Sequence, residues 1–169
     1  MDEWHTPEQT VSAAAKEAVR RRVPVIIGTV KNEMQAFILQ RDPETKHKMR
    51  EIQTLRYDDP ADQFAVRVAK GGVPVRRYFF TWSAPESNFG ACHCIELPFV
   101  FGNLDAWNAP MLQGASKEEM ARLRETIQPL WCDFFRAEEI DREIWPLFTE
   151  EVPAVKYFDN LKNPVLINQ

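Results

Sequence analysis

The chain has 169 residues, 44% of them apolar and 11% aromatic, enough to bury the core of one domain or of one large piece of a domain. A formal net charge of −4, with only short basic clusters at Arg20 to Arg22 and Arg76-Arg77, excludes the basic stripe of a nucleic-acid binder. No apolar run reaches the roughly 18 residues of a membrane span, and Met1 to Gln9 lack the basic region and apolar stretch of a signal peptide.

Val11 to Arg22 mixes alanine with charge and predicts a helix, ended by the Val23-Pro24 step, where the residue before proline is pushed toward extended geometry. Val23 to Val30, VPVIIGTV, is a near-continuous β-branched run and predicts a strand covered on both faces of a parallel sheet. Its polar end, Lys31 to Met34, places Glu33 at the C-terminal edge of that strand, where open α/β sheets bind their ligands. Arg41 to Asp59 is charged, poor in apolar residues and bracketed by Pro43 and Pro60, so it predicts a loop with a short solvated helix and no chemistry. Ala61 to Lys70 predicts a helix stopped by Gly71-Gly72, and Val73 to Trp82 a second strand. A loop then leads into Cys92-His93-Cys94. Ser116 and Glu119 have capping-box spacing ahead of a long apolar periodicity, with Pro129 expected to kink or restart the helix. Ala154 to Asn160 and Pro164 to Gln169 read as short closing strands. The alternation of strands and helices is an α/β pattern without internal repeats.

Only His5, His47 and His93 could carry histidine chemistry. His5 lies near the terminus and His47 in the charged run TKHKMR, both suited to solvent. His93 follows Gly90-Ala91 and precedes an apolar run, a setting that can hold an imidazole at the rim of a sheet. Cys92, Cys94 and Cys132 are an odd set with no disulfide framework, and Cys92 and Cys94 are too close to bridge each other easily. They read as free thiols of the kind a reducing compartment such as the cytoplasm tolerates. A soft metal site on Cys92, His93 and Cys94 is disfavoured, because adjacent residues point different ways and the spacing is not that of structural zinc.

GACHCIELPFVFGNL resembles the histidine-bearing segment of type-B carboxylesterases, the group of the bacterial para-nitrobenzyl esterases and the cholinesterases. VPVIIGTVKNEMQAF is similar to the segment bearing that family's acid, and YFFTWSAP, LWCDFFR, WPLF and VKYFD resemble later segments in the same order. The resemblance runs from about Val11 nearly to the C-terminus. It implies the C-terminal part of an α/β-hydrolase fold, a mostly parallel sheet with flanking helices, acting on small carboxylic esters with no cofactor. It further implies His93 as general base and acid, and Glu33 as the carboxylate that orients it. An imidazole can take a serine proton near neutral pH and return it to an alkoxide while a carboxylate on its other nitrogen fixes the tautomer. Glu96 is a competing carboxylate, better suited to a hydrogen-bond network behind the site.

Two departures stand beside the resemblance. Gly-x-Ser-x-Gly occurs nowhere in the sequence, and a glycine-rich oxyanion loop is also absent, so the nucleophile and oxyanion hole are expected outside this chain. The separation of 60 positions from Glu33 to His93 is also shorter than the resemblance leads one to expect, with the shortfall placed near Arg41 to Asp59. Two kinds of function therefore remain in view. One is an ester hydrolase completed by the missing N-terminal segment. The other is a truncated or cholinesterase-like binding or scaffold protein, associating through an exposed apolar sheet edge.

Overall fold

The structure is a computed structural model that describes residues 7–159; His5 and the strand expected at Pro164 to Gln169 lie outside them. Three strands, β1 (Val25–Val30), β2 (Val75–Phe80) and β3 (Val155–Phe158), form one sheet in the order β1-β2-β3, and both pairs are parallel. Val25 lies opposite Val75, and Val30 opposite Phe80. All three strands therefore end on one side of the molecule.

Alternation along β1 and β2 divides the core between the two sheet faces. On one face, Val25, Ile27 and Val75 meet Ala15 and Val19 of helix α1 (Pro7–Arg21), and Ala65 and Val68 of a further helix, Asp59–Lys70. On the other, Ile26, Val30, Tyr78 and Phe80 join an aromatic cluster with Trp82, Phe99, Trp131, Trp145 and Phe158. Each face is covered, as the β-branched run predicts. β1 nonetheless stays half-buried from Val25 to Gly28, because among the described residues it has a paired neighbour on one side only.

The basic pair Arg76-Arg77 is not a surface cluster. Arg77 is buried, with Nε 2.9 Å from Asp62 Oδ1, and Arg76 Nη2 donates to the Ile140 carbonyl at 2.7 Å. Each guanidinium thus meets an oxygen acceptor where it leaves the strand.

Between β1 and β2 the chain forms α2 (Gln35–Ile38), α3 (Pro43–Gln53), a π-helical turn at Thr54–Asp58, and α4 (Asp59–Lys70). The expected loop across Arg41 to Asp59 is thus mostly helix. Asp42 caps its start, accepting from the Thr45 amide at 3.0 Å, with Pro43 in the first turn where its missing N–H is harmless. The two prolines begin helical segments here instead of ending them. α1 starts earlier than its apolar pattern and stops at Arg21, one residue short, with Arg22 in the left-handed region at φ 55°.

After β2 come α5 (Leu97–Phe101), 3₁₀ turns at Leu104–Ala106 and Pro110–Leu112, and α6 (Lys117–Phe135). The Ser116 hydroxyl accepts from the Glu119 amide at 3.1 Å, as its spacing predicts. α6 passes through Pro129 without restarting, which corrects the restart among the two expected outcomes. Leu123, Ile127, Leu130 and Trp131 are buried against the aromatic cluster on both sides of the proline, and this packing outweighs the lost backbone bond.

Candidate functional site

The site lies at the carboxyl ends of β1 and β2. The turn after β1 and the loop before α5 are joined by a backbone bridge pairing Asn32 with Cys92. The Asn32 amide donates to the Ala91 carbonyl at 2.9 Å, and its side-chain Oδ1 accepts from the Ala91 amide at 3.1 Å. Gln35 Nε2 adds a bond to the Asn88 carbonyl at 3.1 Å. These bonds hold Glu33 and His93 side by side although they leave different strands.

Gly90 makes the approach possible. It has φ +60°, and a Cβ there would stand 2.6 Å from Asn32 Oδ1, inside ordinary contact. Gly90→Ala is expected to destabilise the protein by about 1–2 kcal/mol from the left-handed backbone alone. It should also loosen the Asn32–Ala91 clasp, and thermal unfolding of the variant measures the first effect.

The Glu33 carboxylate bridges two partners. Its Oε1 accepts from the Val30 amide at 3.0 Å, and its Oε2 lies 2.6 Å from His93 Nδ1. The Glu33 side chain is 7% exposed and that of His93 45%, so a buried anion is tied to a ring that reaches solvent. With the Nδ1 proton donated to Glu33, Nε2 is the nitrogen able to accept a proton; it has no hydrogen-bond partner among the described residues. The Tyr57 ring lies against the imidazole, with centroids 5.8 Å apart and planes tilted by 56°.

Glu96 does not compete for His93. Its Oε1 accepts from the Tyr78 hydroxyl at 3.5 Å, and its Oε2 is buried with no hydrogen-bond partner among the described residues. Burial pushes the Glu96 carboxyl above the usual glutamate range, and the nearby Glu33 charge adds to that effect. Burial raises the Tyr78 phenol too, with the same two carboxylates contributing.

The folded protein therefore holds the Glu96 proton more tightly than the unfolded chain does. Ionising Glu96 removes stability as pH rises through its raised pKa, and the penalty vanishes below the ordinary glutamate range. Glu96→Gln is expected to compare more favourably with wild type at about pH 8 than at about pH 4, in urea midpoints measured at both values.

The cysteines are thiols. Cys92 is buried, its Sγ 3.6 Å from Met111 Sδ, and burial pushes its pKa up to about 11. Cys94, beside His93, has φ 71°, a left-handed backbone that a β-carbon disfavours by about 1–2 kcal/mol. Among the described residues no three His, Cys, Asp or Glu side chains are grouped so as to hold a metal ion. No helix among them is long and apolar enough to cross a membrane. His47 is exposed on α3, 3.5 Å from Glu51.

Asn32, Gln53, Tyr57 and Tyr78 carry no sequence signal of their own that marks them as part of this site. Tyr57 is the only tyrosine in the charged run after Glu33, a weak cue at most.

No protein-family model matches the chain. Among curated proteins it is 33% identical over 147 residues to a probable N-octanoylanthranilate hydrolase of Rhodococcus erythropolis, a match covering 79% of this chain and 32% of that protein. It is 38% identical over 88 residues to the phenmedipham hydrolase of Pseudarthrobacter oxydans, covering 48% of this chain and 18% of that protein. It is 29% identical over 161 residues to the para-nitrobenzyl esterase of Bacillus subtilis, covering 93% and 32%. The chain thus spans about a third or less of the length of these relatives.

Among solved structures, a para-nitrobenzyl esterase superposes with TM-score 0.77 at 24% identity, over 96% of this chain and 40% of that one. A Geobacillus stearothermophilus carboxylesterase superposes with TM-score 0.74 at 18% identity, over 95% and 41%. At these identities the superpositions speak to the fold, which is that of α/β-hydrolase esterases. Para-nitrobenzyl esterases, which are type-B carboxylesterases, thus stand among both its homologues and its structural neighbours, and the chain matches only part of their length.

Proposed function

We propose that the 169 residues are the C-terminal segment of a single α/β-hydrolase domain in a serine esterase that cleaves small carboxylic esters. In this reading His93 is the base and then the acid of the triad, and Glu33 orients it. The observation that carries it is the 2.6 Å bond between Glu33 Oε2 and His93 Nδ1 beside the ends of parallel strands.

A serine on residues outside this sequence would give its proton to Nε2 as its oxygen attacks the ester carbonyl. The Glu33 carboxylate would stabilise the imidazolium so formed. Nε2 would next protonate the leaving alkoxide, generating the acyl-enzyme and an alcohol. Water would then be deprotonated by the same nitrogen to release the acid and restore the serine. Glu96, held by Tyr78 and not by His93, takes no part in proton transfer in this scheme. No cofactor is required by these steps.

Fluorophosphonate labelling tests the reading. The 169 residues alone should not label, whereas a longer protein with the upstream region should label at a serine and lose labelling in His93→Ala. Robust labelling of the 169 residues, or undiminished labelling of the His93→Ala protein, would overturn it.

One observation favours a second reading. Among the described residues β1 has no paired strand on its outer side, and Val23 beside it is 48% exposed. This edge suits either the missing hydrolase segment or another copy of the chain. A clean, stable monomer in size-exclusion chromatography would favour a self-sufficient domain, and concentration-dependent association would favour an edge that needs a partner.

A further inference from the structure

We infer that the stretch from Gln53 to Tyr57 is a positioning strut for the Glu33–His93 pair. The inference rests on the reading of that pair as the acid and base of an ester hydrolase. The strut lies in the charged run from which the sequence suggests no chemistry, and it meets the backbone flanking Glu33 at one end and the His93 ring at the other.

The Gln53 amide spans the turn that carries Glu33. Its Nε2 donates to the Lys31 carbonyl at 3.1 Å, and its Oε1 accepts from the Met34 amide at 3.5 Å. Lys31 and Met34 bracket the acid, so the backbone on either side of Glu33 is anchored to one side chain. At the other end of the stretch, the Tyr57 ring leans on the imidazole. Glu33 fixes Nδ1 but leaves the ring free to swing about that bond. A second surface against the half-exposed imidazole removes that freedom and so holds Nε2 in one place.

The local backbone explains how one helical segment serves both the site and the core. Within Thr54–Asp58 the Asp59 amide bonds to the Thr54 carbonyl, a π-type bond that accommodates one extra residue. At 3.6 residues per turn, that residue rotates the preceding helix by roughly 100° relative to the following one. α4 can then lay Ala61, Ala65 and Val68 in the core while Gln53 and Tyr57 face the site. A straight helix would have to surrender one of these faces.

Exchange of the His93 Nδ1 proton with solvent, read by NMR in the ¹⁵N-histidine-labelled 169-residue chain, tests the strut. Tyr57→Leu and Gln53→Ala should each speed exchange roughly tenfold, as expected on losing one interaction of hydrogen-bond strength. Tyr57→Phe should restore wild-type protection, because the ring contact needs no hydroxyl. If either variant loses its dispersed amide spectrum, the other reports on the same strut. Wild-type exchange in the folded Tyr57→Leu or Gln53→Ala protein would overturn the inference, as would Tyr57→Phe behaving like Tyr57→Leu. Glu33→Gln separates the two levels: if it leaves the proton protected, the reading of the pair fails. If it abolishes the Nδ1 proton signal, by moving the proton to Nε2, while the strut variants exchange at the wild-type rate, only the strut fails.

Discussion

Under the proposed function, Glu33→Gln is expected to lower kcat of a longer, serine-bearing protein by roughly 10,000-fold, with KM changed by less than about threefold. The shape of the site should survive, because glutamine can still accept the Val30 amide through its carbonyl oxygen. The amide nitrogen then faces His93 Nδ1, where Oε2 now stands at 2.6 Å. An NH₂ group there can only donate, which forces the imidazole to carry its proton on Nε2. A ring in that tautomer cannot accept the serine proton, so the loss falls on the chemical step and not on substrate binding. Steady-state hydrolysis of para-nitrophenyl acetate measures both constants. A loss of less than about tenfold would mean that Glu33 does not set the tautomer.

Trp145→Ala is expected to destabilise the fold by about 3–5 kcal/mol, a large part of the roughly 5–15 kcal/mol that holds a typical domain together. Trp145 is fully buried, and its Nε1–H donates to the Arg77 carbonyl at 3.1 Å. Its ring meets Tyr78, Trp131 and Phe158 with centroids 5.1–6.4 Å apart, joining β2, α6 and β3. Truncation leaves a cavity among rigid aromatic neighbours that cannot collapse to fill it, and it removes a hydrogen bond to a buried backbone carbonyl. Trp145→Phe keeps most of the packing and should lose less. Urea midpoints at constant slope measure both variants, and a Trp145→Ala loss below about 1 kcal/mol would mean that the ring cluster is not a structural keystone.

What the sequence discloses and what it conceals divide along physical lines. β1 is legible because a strand covered on both faces is apolar in succession, β2 because its run is rich in β-branched and aromatic residues, and α6 because its cap and its periodicity agree. The Glu33–His93 pairing is suggested by the resemblance, and the geometry brings the two together through Asn32. An Asn32 clasp on Ala91 has no sequence signature, since one asparagine in a polar turn looks like any other. The segment after Glu33 misleads because α3 is a largely solvated helix, with the Lys48–Glu44 pair on its surface and no buried residue. A helix without an apolar stripe reads as loop, and the π-turn depends on the tertiary packing around it. Pro129 misleads in the opposite direction, because burial of Ile127, Leu130 and Trp131 outweighs a local rule.

The tautomer of His93 is the most direct test of the account. At neutral pH, ¹⁵N chemical shifts of the ring in the 169-residue chain should show Nδ1 protonated and Nε2 bare, with the Nδ1 proton displaced downfield by its bond to Glu33. A ring that carries its proton on Nε2, or that averages freely between both forms, would contradict the assignment of Glu33 and His93 as the acid and base of an ester hydrolase.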